Sequence, residues 1–176
     1  MNFGILGPTY DPASVQPMRD ELTVVGFDEL LTSDDVQKAF EVPDKTVLLL
    51  INSVCGCAAG NARPGAAMAL QHTKIPDVLT TAFAGMEKDA VAKARAYLAP
   101  HPPSSPCIAL LKDAKIVKIL ERRHIENRTA EMVARELVEW FEEYCERPGP
   151  SISPEDFARL TPYKACGSTI PLARPD

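Results

Sequence analysis

The chain has 176 residues, 45% of them hydrophobic and 24% charged, which suits one globular domain with a sizeable core. Its formal net charge of -5 argues against a nucleic-acid partner, because phosphate binding wants a basic surface. No apolar run approaches the roughly 18 to 20 residues that span a bilayer, and the start from Met1 to Asp11 lacks the basic and apolar regions of a secretory signal; the expectation is a cytoplasmic protein with no membrane partner.

Residues 1–17 carry Gly4, Gly7, Pro8, Pro12 and Pro17 and read as an irregular lead-in. Met18, Leu22 and Val25 then fall at helical spacing, a stripe that Gly26 closes. A short strand is predicted over 27–31. Thr32 and Asp35 form a capping pair that opens a helix to about residue 41. The stretch TVLLLIN, residues 46–52, is short, continuous and apolar, and so predicts a fully buried central strand. The Ala-rich stretch 58–70 predicts a helix kinked at Pro64. A strand over 78–83 and a helix over 86–98 follow, then the Pro-rich loop HPPSSP at 101–106. Strands at 107–111 and 115–120 flank a tight turn at Asp113 and Ala114. Over 129–145 an amphipathic helix puts Val133, Leu137, Trp140, Phe141 and Tyr144 on one face. Pro148, Gly149 and Pro150 break it, Ser153-Pro154-Glu155-Asp156 starts a short helix, and an irregular tail is expected beyond Leu160. The chain thus divides into the lead-in, a domain over 18–145, and a C-terminal extension over 146–176.

Five cysteines, Cys55, Cys57, Cys107, Cys145 and Cys166, are odd in number and spread over a mid-sized chain, so this is not a disulfide-stapled mini-domain. Cys55-Gly56-Cys57 lies between the buried strand and a helix N-terminus. Unpaired N–H groups and the helix dipole favour an anion there, so a thiolate is stabilised. Residues one apart reach about 7 Å when extended, and disulfides prefer about 5.5 to 6 Å. The pair can therefore close on a bent backbone, for which Gly56 offers freedom. The small ring is expected to be strained and easily reduced. No second Cys or His pair completes a zinc set, so no metal is expected, although a metal or iron–sulfur carrier and a non-catalytic binding module are the alternatives of another class. Cys107 reads as a buried strand residue or a modulating thiol, Cys145 as packing, and Cys166 as a tail thiol.

The element order, with a redox motif after the central strand, matches a thioredoxin-like α/β fold: a central mixed sheet flanked by helices. In that fold a cis-proline faces the active cysteine. Pro106 stands at the matching place, and Ser105 would offer its backbone to a disulfide substrate. Arg122, Arg123 and His124 form a basic cluster, read as a solvated strand end or a ligand site; Asn61 is expected to hydrogen-bond within the active helix. His72 and His101 have no evident partners in the sequence and are assigned no role.

The stretch NSVCGCAAGNARP, residues 52–64, closely resembles the signature of the bacilliredoxins. PMRDEL with VGF, FAG, PPSSP with ALLK, and the close of the long helix at Cys145 resemble that family as well, over roughly residues 17–145. The resemblance implies a thioredoxin-like oxidoreductase without a resident cofactor. It would remove bacillithiol, a low-molecular-weight thiol and co-substrate, from mixed disulfides on client proteins; disulfide isomerisation is the alternative. It implies Cys55 as the attacking thiol and Cys57 as the resolving one. Arg63 on the active helix is then either a candidate contact for the carboxylates of bacillithiol or a solvated helix residue. A homodimer is compatible with this reading.

Overall fold

The computed structural model describes residues 7–161 and 170–173. Its centre is β2 (Thr46–Asn52), buried along its whole length as its unbroken apolar composition predicts. β2 lies between β4 (Val78–Phe83), which runs parallel to it, and β5 (Cys107–Lys112), which runs antiparallel. The short β1 (Asp28–Glu29) and β6 (Lys115–Leu120) flank these, giving the order β1-β4-β2-β5-β6. The turn from β5 to β6 places Asp113 and Ala114 at φ 51° and 59°, left-handed values that match a tight hairpin.

The sheet separates two apolar layers, because successive side chains of a strand point to opposite faces. Leu48 and Leu50 pack with Leu22 of α1 (Pro12–Thr23), Leu70 beyond α3 (Arg63–Ala69), and Val133, Leu137 and Phe141 of α6 (Ala130–Tyr144). Val47, Leu49 and Ile51 pack with Val36 and Phe40 of α2 (Ser33–Phe40) and with Ala90, Val91 and Ala94 of α4 (Lys88–Tyr97). This is the expected mixed sheet between helices, consistent with a thioredoxin-like fold. α2 carries the predicted capping box between Thr32 and Asp35. α3 lies close against α6 at Gly65, where an added Cβ would stand 2.9 Å from the Ala130 carbonyl and from Val133.

Four features depart from the sequence reading. α1 begins at Pro12, inside the supposed lead-in, capped by Asp11, whose carboxylate accepts from the Ser14 N–H at 2.9 Å. Pro12 needs no N–H at the first helical position, which is why a proline that reads as a breaker serves as a start. Pro64 does not kink one α-helix. A π-helical turn over Ala58–Ala62 precedes it, and Pro64 becomes the second residue of α3. The wider turn avoids the hydrogen bond that proline cannot donate. Residues 122–125 form a one-turn helix, α5 (Arg122–Ile125), not a strand end. β3 (Lys74–Ile75) pairs with β7 (Arg147–Pro148), two elements too short to have a sequence period.

Past α6, residues 147–161 stay on the body of the protein. Ile152, Phe157 of α7 (Pro154–Ala158) and Leu160 pack against the main core. Farther on, Leu172 bridges Tyr10, and Ile170 packs on a third cluster that holds Val15, Met18, Phe83 and Met86. Cys166 lies outside the described residues. No helix among the described residues is long and apolar enough to cross a membrane.

Candidate active site

Where β2 ends, the chain leaves the sheet through Ser53 and Val54 and enters a helix at Gly56. Cys55 and Cys57 straddle that entry and are joined by a disulfide, with their Cα atoms 5.5 Å apart. Both cysteines are half-buried and Gly56 is exposed. The pair closes because the chain is already turning into a helix there, not through glycine-only backbone freedom. Gly56 has no positive φ, and a Cβ added to it would meet nothing within 4 Å. What glycine leaves at this position is an uncovered face beside the two sulfurs.

Backbone donors and acceptors set this turn. The Cys55 carbonyl accepts from the N–H groups of Ala58 at 3.0 Å and Ala59 at 3.2 Å. The N–H of Cys57 donates to the Cys55 sulfur at 3.3 Å, and the N–H of Cys55 donates to the Ser53 hydroxyl at 3.4 Å. An N–H aimed at sulfur favours the anionic form of a thiol over the neutral one. The arrangement suits Cys55 for a thiolate once the disulfide is opened.

Behind the turn stands a buried polar network that the sequence reading missed. Arg63, expected to face substrate, is only 1% exposed and points inward. Its Nε donates to Glu21 of α1 at 2.6 Å, and its Nη1 donates to the Asn52 side-chain oxygen at 3.1 Å and the Ser53 carbonyl at 3.2 Å. Asn52 in turn accepts from the Ser53 N–H at 2.9 Å and donates to the Met18 carbonyl at 3.0 Å. One guanidinium therefore ties α1, the end of β2 and α3 together immediately below the Cys-Gly-Cys turn. The signal was present in the sequence: Ala59, Ala66, Ala67 and Leu70 stand four before and three, four and seven after Arg63, which puts it on the apolar side of its helix. Nε and Nη1 of Arg63 are taken up by protein acceptors, and Nη2 is buried with no hydrogen-bond partner among the described residues, so the side chain is turned inward and not into solvent.

Pro106 is buried, and the Ser105–Pro106 peptide bond is cis. Strand pairing sets Cys107 opposite Ile51, so the next pair along places Pro106 level with Asn52, at the same end of the sheet as the disulfide. Ser105 is half-buried beside it. Asn61 does not bond within its helix; its side-chain N–H donates to the Ile125 carbonyl at 2.9 Å, fastening the active helix to α5. His72 and His101 do have partners, Glu142 and Glu121. Among the described residues no group of three or more His, Cys, Asp or Glu side chains is arranged to hold a metal ion.

The remaining described cysteines are core residues. Cys107 is 2% exposed and Cys145 fully buried. Burial pushes the Cys107 thiol up to about 12 and the Cys145 thiol up to about 11. The folded state thus favours both as neutral thiols. Their contribution to stability is intact below about pH 9 and is lost as the pH climbs toward those values, because the unfolded chain ionises first. In the reduced native protein at about pH 8, Cys107 should react with iodoacetamide about a thousandfold more slowly than an open thiol. Peptide mapping with and without denaturant checks this; rapid native labelling of Cys107 would show a reachable thiol.

The family model described as "Disulphide isomerase" matches residues 10–145. A protein of Salinibacter ruber named bacilliredoxin is 50% identical over 158 residues, covering 83% of this chain and 93% of that protein. The chain belongs to the bacilliredoxin family. A bacilliredoxin of Halalkalibacterium halodurans is 52% identical over 75% of the chain and 92% of its own length. One from Cytophaga hutchinsonii is 51% identical over 73% and 94%. The matched stretch holds the whole site: Asn52, Ser53, the Cys55–Cys57 pair, Arg63 and the Pro106 loop all fall within residues 10–145. Both family descriptions name redox proteins, a bacilliredoxin and a disulphide isomerase.

Proposed function

We propose that this bacilliredoxin is a cytoplasmic thiol–disulfide oxidoreductase that removes bacillithiol from client proteins. The observation that carries the reading is the Cys55–Cys57 disulfide at an uncovered helix entry, with a backbone N–H directed at the Cys55 sulfur. In the reduced enzyme, the Cys55 thiolate attacks the bacillithiol sulfur of the mixed disulfide. The bond between bacillithiol and the client cysteine breaks, and the client leaves as a thiolate that takes up a proton. Bacillithiol is now disulfide-bonded to Cys55. Cys57 then loses its proton and attacks the Cys55 sulfur, which expels bacillithiol as a thiolate and leaves the Cys55–Cys57 disulfide. A second bacillithiol can expel the first in place of Cys57, forming bacillithiol disulfide. Reopening the Cys55–Cys57 bond takes two electrons, delivered by an external thiol.

Gly56 and the Ser105–Pro106 segment form the face toward the incoming disulfide in this reading. Disulfide isomerisation is the second reading, favoured by the family description itself. Both use the same nucleophile and differ in whether the partner is a small thiol or a protein disulfide. The test is intact-mass analysis of reduced Cys57→Ala protein mixed with a bacillithiol-modified client. The expected result is one bacillithiol adduct on the variant, mapped to Cys55, and a client freed of its adduct. A client that keeps bacillithiol while Cys55 reacts with protein disulfides would replace this reading with the isomerase.

A further inference from the structure

Arg63 is 1% exposed with its Nε and Nη1 held by Glu21, Asn52 and Ser53, so the exposed cations near the site are the ones to match with a carboxylated thiol on Cys55. The molecule holds a second group of arginines at the same end of the sheet. A cleft of about 490 Å³, lined in part by Arg95, Ser104, Ser105, Arg122 and Arg123, opens beside the loop that carries Pro106. Its size falls in the range of small-molecule sites, roughly 300 to 1,000 Å³. Ser105, which precedes the cis bond, lines it directly. Extending the β2–β5 pairing beyond Cys107 and Ile51 sets Ser105 level with Ser53, two residues before Cys55.

The charges in this cleft do not cancel. Three guanidinium groups face two carboxylates, those of Glu121 and Glu126. Glu121 accepts from Arg123 Nε at 2.9 Å and pairs with His101 at 3.0 Å; Glu126 accepts from Arg122 Nε at 3.2 Å. Arg122 and Arg123 thus meet these acids through Nε, and their side chains remain 53% and 70% exposed. Arg95 has a buried Nε with no partner among the described residues. The backbone at Arg122 is also tied to the loop that carries Pro106: the Ser104 hydroxyl accepts from the Arg122 backbone N–H at 2.7 Å.

We infer that this cleft is the subsite for the carboxylates of the small thiol carried on Cys55, with Arg95, Arg122 and Arg123 as its cations; the inference rests on the thiol-transfer reading above. A guanidinium fork matches a carboxylate in shape and charge, and a neutral thiol gains nothing from it. Discrimination among small thiols is then the difference between these two cases.

The test uses one single-cysteine peptide carrying either bacillithiol or 2-mercaptoethanol in mixed disulfide. The readout is the ratio of kcat/KM for the two adducts in the wild-type protein, in Arg122→Gln/Arg123→Gln and in Arg95→Gln. The wild type should prefer the bacillithiol adduct, and the double variant should lower that ratio about tenfold, through KM. The wild-type preference should also shrink as salt is added. If the wild type transfers both thiols and its ratio matches that of the variants, the subsite is overturned and the redox reading stands. A wild-type protein that transfers neither thiol overturns both.

Discussion

Cys55→Ser protein should lose thiol transfer by at least about a thousandfold, while Cys57→Ser should keep the first transfer step within about tenfold. The asymmetry follows from the geometry of the turn. A hydroxyl does not ionise near neutrality, so serine at residue 55 offers no nucleophile, whatever the backbone around it favours. Cys57, by contrast, enters the proposed mechanism only after Cys55 has taken the adduct. Its backbone N–H, which donates to the Cys55 sulfur, survives replacement of the side chain. The Cys57→Ser variant should therefore accumulate as a mixed disulfide on Cys55, and the Cys55→Ser variant should accumulate none. Stopped transfer followed by intact-mass measurement checks both. Equal melting temperatures of the two reduced variants would show that the loss is chemical. An adduct that builds up on Cys57 of the Cys55→Ser variant would reverse the two roles.

The second large effect is expected at Arg63, and it is one of stability. Replacing Arg63 by methionine leaves the Glu21 carboxylate and the acceptors on Asn52 and Ser53 without their shared donor. Arg63 is 1% exposed and Glu21 13% exposed at the side chain, so solvent offers little compensation. Breaking a buried pair from one side costs about 3 to 5 kcal/mol. For a chain of this length that is a fall in melting temperature of about 10 °C. Replacing the pair together, Glu21→Leu with Arg63→Met, should recover much of the loss, because desolvation of both charges is removed at once. Thermal melts of the single and double variants decide it. A single variant that melts within about a degree of the wild type would mean that the network does not hold the end of β2.

How far such features are readable in a sequence depends on how local their causes are. The central strand at 46–52, the capping box of Thr32 and Asp35, the hairpin turn at Asp113 and Ala114, and the amphipathic stripe of α6 were all legible. Each follows from side chains a few residues apart: an apolar run, a cap three residues from its acceptor, a turn between two strands, a 3.6-residue period. The Cys-Gly-Cys pair was legible for the same reason, since two cysteines one residue apart at a strand–helix junction can meet whatever the rest of the chain does. Family membership was legible too, because the stretch from Asn52 to Pro64 is continuous.

The errors share the opposite cause. Pro12 and Pro17 read as breakers, yet Pro12 starts α1 and Pro17 lies inside it, held against Phe83 and Met86 through Val15 and Met18. Pro64 reads as a kink, yet a π turn absorbs it. β3 and β7 have two residues each and exist because residues more than 70 positions apart meet. His101 has no local partner, but across the fold it finds Glu121.

By itself, then, the sequence determined the frame of the site: a cysteine pair at the head of a helix, a buried strand behind it, and a proline loop in the next crossover. Only the tertiary structure decided where the cations around that pair face. Arg63 is eight residues from Cys55 and turned inward, because α1 and the end of β2 supply acceptors for its charge. Arg95, Arg122 and Arg123 are distant in the chain and share one cleft beside Ser105, because the sheet brings the ends of α4, β6 and the proline loop to one edge. A side chain's type is local information; the direction in which its charge faces is set by partners that only folding assembles.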